Sequence, residues 1–273
     1  MLLTGAHASP PDPSDALLDE THPAYAGAPV PPNSDAVDLR EIHTWREQRL
    51  QDCCSLTLAQ QAQDLGTIRG HQLALIGPRF TYEEAITLRQ APEENRPLKD
   101  TGSNYRYNLV SARDRGLTRD AIWPEPGDAA GVAVPFGMLP PLHVRQAAKQ
   151  NLLPGGFARV EHGQGQVTKN RLIRTLKLAA AGLLALPSAR YPIYENFQFG
   201  GSRYDPYKKM EGRLLGWHMS QFSGYDPDRR AFLLFSTWER QWGDRGVFYV
   251  DEDLFLAFST EYWTFFETPL VIL

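Results

Sequence analysis

The sequence changes character along its length, from helical patterns to strand patterns. Apolar residues recur at helical spacing after Cys54, in residues 78–89 and in residues 168–186. Residues 214–273 alternate and are rich in aromatic side chains, as antiparallel strands are. The helices precede the strands instead of alternating with them. The sequence therefore predicts an α+β fold and disfavours a parallel doubly wound sheet.

The first 36 residues differ in composition from the rest of the chain. They are rich in Pro, Ala, Asp and Ser, and such a composition buries too little apolar surface to order itself. We therefore predict that residues 1–36 form a flexible or extended leader or linker. The alternative is a segment that lies across a cleft. Residues 37–273 are predicted to form the globular domain.

Charge and cysteine content exclude several classes of protein. The net charge of −4 gives no reason to expect nucleic acid or an anionic membrane as a partner. The longest apolar run, residues 176–186, is too short to span a bilayer, and no secretory signal pattern precedes the domain. Two adjacent cysteines cannot staple a fold, so we expect a reducing, cytoplasmic location unless a dedicated machine exports the chain. We see no metal-ligand spacing and expect neither metal nor cofactor. Nothing in the sequence indicates an oligomeric state.

The cysteine pair Cys53-Cys54 stands directly before the first helical pattern. An apolar stripe follows it, formed by Leu56, Ala59, Ala62 and Leu65. Cys54 is thus predicted at a helix N-terminus, where unpaired N–H groups and the helix dipole favour a thiolate. Gln48 lies six residues upstream, within reach of a group that the sulfur attacks. The alternative is a buried cysteine under an ordinary amphipathic helix.

A histidine opens one of the late strands. His218 follows Gly216-Trp217, and a strand over residues 232–235 returns from the hairpin turn to Ser236. An early thiol and a late imidazole are the components of a thiol acyl-transfer site, in which a third polar group orients the imidazole. We predict Ser236 in that third role. The alternatives are a core histidine for His218 and plain core packing for Trp238.

These segments, in this order, resemble the papain-like cysteine peptidases, in particular the bacterial members that lack structural disulfides. The six-residue spacing from Gln48 to Cys54 is similar to the family's oxyanion glutamine and nucleophile. Residues 216–226 resemble the catalytic-histidine strand, and residues 236–246 resemble the Asn-Ser-Trp-Gly segment. Further segments that fall in family order are residues 78–82, 100–103, 122–124 and 194–197.

The resemblance implies a fold of two lobes with a cleft between them. One lobe would be helical around Cys54, and the other would be antiparallel, barrel-like and rich in β-strands around His218. Cys54 would be the nucleophile and His218 its general base. Gln48 would share the oxyanion hole with the Cys54 backbone N–H.

The resemblance also implies how a substrate is held. Gly102 and Ser103 would pair with the main chain of an extended peptide, so the partner would be a peptide or protein substrate. Trp238 would shield the histidine from water. Ser236 stands where the family has its orienting Asn.

The sequence departs from the family around both catalytic residues. Asp52-Cys53-Cys54-Ser55 replaces the usual Gly-Ser-Cys, and the Asn is lost at Ser236. These changes are compatible with a peptidase, or with a catalytically inactive module that binds an extended peptide or serves as part of an assembly. Retention of Cys54, His218 and Gln48 favours the enzyme, and the six-residue spacing makes Cys53 a predicted bystander. The Trp-Gly pattern disfavours another amide-acting thiol enzyme, such as an NlpC-type peptidase or a transglutaminase-like acyltransferase.

Overall fold

A computed structural model describes most of the chain. The described residues are 4–18, 36–44, 46–90, 98–126, 135–153, 155–160, 165–195, 211–238 and 242–266. Their six α-helices are α1 (Cys53–Ile68), α2 (Arg79–Gln90), α3 (Tyr105–Asp114), α4 (Leu142–Lys149), α5 (Gln166–Ala180) and α6 (Glu252–Phe258). Their strands are β1 (Ala6–His7), β2 (Ala16–Leu18), β3 (Val37–Asp38), β4 (Ile76–Gly77), β5 (Ser103–Asn104), β6 (Thr118–Arg119), β7 (Phe157–Val160), β8 (Ser188–Tyr194), β9 (Leu214–Asp226), β10 (Ala231–Phe235), β11 (Val247–Asp251) and β12 (Glu261–Phe265).

One large sheet dominates the second half of the molecule. Its strand order is β11-β10-β9-β8-β12-β7-β2, and β3 pairs with β9. All neighbours are antiparallel except β2 and β7. The predicted α+β class is therefore confirmed. Within the described ranges the strand lobe is an open mixed sheet. The sequence predicted a barrel-like lobe, but the sheet does not close into a barrel.

Helix α1 is the central element of the helical lobe. It packs against α2, α3 and β9, so every residue from its start through Gly66 is buried. The single apolar stripe that the sequence predicted is therefore wrong, because the helix is covered on all sides. Its polar side chains bond to neighbouring elements; for example, the Thr57 hydroxyl donates to the Met219 carbonyl at 3.1 Å. Such bonds let polar residues occupy a buried helix at little cost.

The predicted helix boundaries hold for α2 but less well elsewhere. The helix predicted for residues 168–186 is α5, which ends at Ala180, because Gly182 has a positive φ (74°) and Leu183 N donates to the Leu178 carbonyl at 3.0 Å. Helix α2 matches the predicted residues 78–89 to within one residue at each end. The third predicted helix, from residue 100, begins instead at Tyr105, because the Asn104 side chain caps it by accepting from Tyr107 N at 2.8 Å. Helices α4 and α6 were not predicted, since two turns give too few residues for a periodic pattern.

Residues 4–18, named here the N-terminal strap, lie along the outside of the domain. They belong to the predicted leader of residues 1–36. Strand β1 pairs in parallel with β5 of the helical lobe, and β2 pairs in parallel with β7 at the edge of the large sheet. The strap is thus extended and hydrogen-bonded; residues 1–3 and 19–35 of the predicted leader lie outside the described residues. None of the helices in the described part of the chain is long and apolar enough to cross a membrane.

Candidate active site

The two thiols lie at the start of α1. Asp52 is the N-cap residue, and Cys53 and Cys54 are the first and second residues of the helix. Both thiols are free and completely buried. The unpaired N–H groups at the start of a 16-residue helix favour negative charge on a side chain held there.

The two neighbouring thiols have opposite acidities. Burial by itself would raise the pKa of Cys53, but the Cys54 thiol and the His218 imidazole lower this pKa well below the ordinary thiol range. Burial raises the pKa of Cys54, and Cys53 raises it further. The Cys54 thiol donates to the Ser103 carbonyl at 3.4 Å. His218 thus affects the pKa of Cys53, the cysteine that the sequence interpretation treats as a bystander.

His218 lies on β9 and is held by aromatic rings. Its ring centroid is 4.4 Å from that of Trp238, and Tyr191 meets it edge-on at 5.8 Å. The side chain is fully buried, and neither ring nitrogen has a regular hydrogen-bond partner among the described residues. Ring packing thus fixes the plane of the imidazole and leaves both nitrogens available.

Ser236 makes its hydrogen bonds away from the imidazole. Its hydroxyl accepts from the Trp238 backbone N–H at 3.1 Å, and its own N–H donates to the Gly246 carbonyl at 2.6 Å. These bonds shape the turn that holds Trp238 against the His218 ring. Ser236 therefore contributes to the orientation of the imidazole through Trp238.

Gln48 lies in the loop before α1 and is buried. Its side-chain N–H donates to the Leu50 carbonyl at 2.8 Å, and its side-chain oxygen accepts from the Thr237 hydroxyl at 3.1 Å. Its backbone N–H also donates to the Thr237 carbonyl. Gln48 thus joins the loop of the thiol to the turn that carries Trp238. Its amide nitrogen carries two hydrogens, so one N–H can donate to another oxygen while the other donates to Leu50.

Gly102 and Ser103 face the strap. Ser103 N donates to the Gly5 carbonyl at 2.9 Å, and Gly5 N donates to the Trp217 carbonyl at 3.0 Å. Trp217 directly precedes His218, so Gly5 passes between the wall that carries the thiols and the wall that carries the imidazole. The positive φ of Gly102 (77°) and its close approach to Gly5 both require glycine there.

Further contacts hold the strap along its length. Arg190 Nε donates to the Ala6 carbonyl at 3.0 Å, and its guanidinium lies 3.8 Å from the centre of the Trp217 ring. Arg106 forms ion pairs with Asp15, at 2.8 Å, and with Asp12. The strap therefore covers the thiols and the imidazole, which explains their complete burial.

A carboxyl pair lies behind the thiols. Burial, and then the neighbouring Glu125 carboxyl, raise the pKa of Asp52 well above the ordinary range. Two buried carboxyls at hydrogen-bond range share a proton more readily than they carry two charges. A neutral Asp52 next to Cys53 does not oppose a thiolate as an ionised one would.

The sequence interpretation did not single out every residue around the thiols. It named Cys53 only as a bystander, and the spacing from Gln48 was its one ground for preferring Cys54. Arg190 carries no local signal, since its role depends on the strap and on Trp217. In the described ranges, no group of three or more His, Cys, Asp or Glu side chains could hold a metal ion.

Comparisons with known proteins bear on the fold. No family model matches the sequence, and no curated protein matches it significantly. The structure of xylellain, a cysteine protease from Xylella fastidiosa, superposes with a TM-score of 0.71 at 18% identity, over 98% of this chain and 97% of that one.

Two further solved structures extend the comparison. A procathepsin B from Trypanosoma congolense has a TM-score of 0.65 at 16% identity, over 98% of this chain and 87% of that one. Bromelain from Ananas comosus, bound to the inhibitor E64, has a TM-score of 0.55 at 12% identity, over 85% of this chain and 98% of that one. The chain therefore has the fold of the papain-like cysteine proteases.

Proposed function

We propose that the protein is a cysteine peptidase that hydrolyses peptide bonds in peptide or protein substrates. The observation that carries the proposal is the placement of two thiols at the N-terminus of α1, in the fold of the papain-like cysteine proteases, with His218 stacked on Trp238 on the facing sheet. We assign the nucleophile to Cys53, because His218 and Cys54 lower the pKa of its thiol. Cys54, which the spacing from Gln48 predicted, is the residue whose pKa is raised.

The proposed reaction has two steps. The Cys53 thiolate adds to the peptide carbonyl, and the protonated His218 gives its proton to the leaving amine as the C–N bond breaks. Water then attacks the thioester, with neutral His218 accepting a proton from that water, and the acid product leaves the regenerated thiol. The Cys53 backbone N–H and the Gln48 amide stabilise the oxyanion.

The orientation of His218 rests on Trp238 in this proposal. The usual Asn would accept a hydrogen bond from the ring, whereas Ser236 bonds to the Trp238 backbone. The stacked indole, 4.4 Å from the imidazole, keeps water away and fixes the ring plane. It does not select a tautomer, so we expect lower activity than an Asn-containing site would give.

The N-terminal strap acts as an inhibitor in the same proposal. Gly5 of the strap bonds to the Ser103 backbone N–H and to the Trp217 carbonyl. We propose that a peptide substrate uses the same two main-chain groups. The strap runs parallel to β5 and is tied down by Arg106 and Arg190. Activity then requires that the strap leave the cleft.

The second candidate function is a catalytically inactive module that holds an extended peptide. The occupied cleft and the absence of a hydrogen bond on His218 among the described residues favour it. In that case the thiols would be structural, and a peptide would bind without being cut.

Hydrolysis assays on matched variants separate the two functions. Because the strap blocks the cleft, the assays use the Gly5→Ala chain, in which a Cβ atom has no room and the strap is displaced, and the same chain carrying Cys53→Ala or His218→Ala. Each protein is incubated with an unfolded protein substrate, and the products are identified by mass spectrometry. A peptidase gives new termini only with the chain that keeps both Cys53 and His218. Binding of peptides without new termini, equal in all three proteins, would establish the inactive module instead.

A further inference from the structure

The strap passes through a narrow slot beside the proposed nucleophile. We call it the glycine slot; it consists of Gln51, Gly102, Ser103 and Trp217 around Gly5. Gln51 precedes Cys53 by two residues, and Trp217 directly precedes His218. A residue in this slot therefore contacts the two segments that carry Cys53 and His218.

The slot has no space for a side chain on Gly5. A Cβ atom there would lie 2.3 Å from the Gln51 carbonyl oxygen and 2.8 Å from the Gln51 Cβ. Cβ atoms in proteins do not approach backbone this closely, so the wall would have to move. Gly5 does not have a positive φ, so glycine is required there by space and not by backbone conformation.

Hydrogen bonds hold the Gln51 wall in place. Gln51 N donates to the Asp100 carboxylate at 2.9 Å, and its side-chain amide donates to the Asp100 carbonyl at 3.0 Å. The Tyr82 hydroxyl donates to the same carboxylate at 2.5 Å. On the opposite side Gly102 has no room either, since a Cβ there would lie 2.2 Å from the Gly5 carbonyl oxygen.

The polar groups of the slot suit any extended main chain. The Trp217 carbonyl accepts an N–H and the Ser103 N–H donates to a carbonyl, and an extended peptide offers both kinds of group along its length. A substrate that takes the place of the strap would thus meet the same Gln51 carbonyl oxygen and Cβ atom.

We propose that the peptidase accepts glycine at the residue whose carbonyl the sulfur attacks, and that Gln51 is the residue that excludes larger side chains there. The inference rests on the proposed function. It names peptides and proteins with a glycine on the acyl side of the scissile bond as the substrate class.

The first test requires no hydrolysis. Gly5→Ala in the full chain should expel the strap, so that iodoacetamide alkylates Cys53 at least about tenfold faster than in the wild type. Ala8→Ser is the matched control: it enlarges an exposed strap residue and should leave the alkylation rate within about twofold. Alkylation of the Gly5→Ala chain at the wild-type rate would overturn the steric argument.

The second test measures selectivity in the Gly5→Ala chain with peptides that differ only in the acyl-side residue. We expect kcat/KM for Gly to exceed that for Ala by at least about tenfold, with Leu and Arg lower still. The atom closest to the added Cβ is the Gln51 carbonyl oxygen, which any substitution retains, so Gln51→Ala should keep most of the preference. Asp100→Ala removes the carboxylate that holds Gln51 N, so the Gln51 backbone can move and the Gly-to-Ala ratio should fall to about threefold.

The outcomes distinguish the two proposals. Cleavage of Leu or Arg peptides within about twofold of the Gly peptide would overturn the glycine slot and leave the peptidase intact. If no peptide is cut although Gly5→Ala exposes Cys53 and Gly peptides bind more tightly than Ala peptides, the peptidase function is contradicted and the slot is supported.

Discussion

Different interactions fix the side chains of the two walls of the cleft. On the helical wall, hydrogen bonds fix the groups around the thiols: Cys54 donates to the Ser103 carbonyl, and Asn108 donates to the Ser103 hydroxyl at 2.8 Å. On the strand wall, His218 is held by the rings of Trp238 and Tyr191, and neither of its nitrogens has a regular partner in the described part of the chain.

This difference indicates where catalytic power is limited. Hydrogen bonds fix direction, so the thiol wall is preorganised for its charge. Ring stacking fixes a plane but not the position of a proton, so the imidazole wall leaves the tautomer open. We therefore expect loss of the nucleophile or of the imidazole to abolish the proposed activity, and changes to the residues that only position these two groups to have graded effects.

The largest effect should come from exchanging one thiol while keeping the other. Cys53→Ser should reduce peptide hydrolysis by about 10³-fold or more, because a hydroxyl in this setting is a poor nucleophile. Cys54→Ser keeps a donor toward the Ser103 carbonyl and should stay within about tenfold of the wild type. Steady-state kinetics on both variants checks this, and a larger loss in Cys54→Ser would reverse the assignment.

The next effect concerns the link between the walls. His218 helps to lower the pKa of Cys53, so the thiolate persists below the ordinary thiol range. His218→Ala should shift the alkylation profile of Cys53 to higher pH and slow the reaction at pH 6 by about tenfold or more. His71→Ala, at a histidine outside the site, is the control. An unchanged alkylation profile in His218→Ala would mean that His218 does not affect the pKa of the Cys53 thiol.

The strand wall is tested by separating Trp238 from Ser236. Trp238→Ala should lower the free energy of unfolding by about 3 kcal/mol and reduce hydrolysis, because the indole that fixes the imidazole plane is lost. Ser236→Ala should cost only about 1 kcal/mol, since one backbone N–H loses its acceptor. Denaturant unfolding and kcat measure both. A greater loss of kcat in Ser236→Ala would show that the hydroxyl itself orients the imidazole.

The smallest effect concerns the carboxyl pair behind the thiols. Because the pKa of Asp52 is raised, the folded state keeps its proton to higher pH than the unfolded state does. The stability that Asp52 contributes is thus present at low pH and is lost as pH rises through the folded pKa. Asp52→Asn carries no such charge and should gain about 1 kcal/mol relative to wild type between pH 5 and pH 8, measured by urea unfolding. Equal pH dependence in both proteins would contradict an uncharged Asp52.

The sequence predicted the fold well because long patterns carry most of its information. The helical period of residues 78–89 and the alternating tail each extend over many residues, and both are present as α2 and the late strands. The buried nature of α1 could not be predicted, because it depends on how elements distant in sequence cover the helix. Helices α4 and α6 were missed because each has only about two turns.

The candidate site was harder to predict at the level of atoms. Motif order identified the two segments that meet, but spacing from Gln48 alone could not tell which of two adjacent cysteines faces the imidazole. That choice depends on where the helix begins, and the Asp52 side chain makes no cap hydrogen bond that would mark this start in the sequence. The position of the strap, with Gly5 between Ser103 and Trp217, depends on contacts across some hundred residues or more and has no local pattern.

Peptide-mapped alkylation of the Gly5→Ala chain, in which the strap is displaced, tests the central claim most directly. Limiting iodoacetamide should modify Cys53 much faster than Cys54, because His218 and Cys54 lower the pKa of Cys53 whereas burial and Cys53 raise the pKa of Cys54. Modification of Cys54 first, or of both cysteines at equal rates, would contradict the pairing of Cys53 with His218.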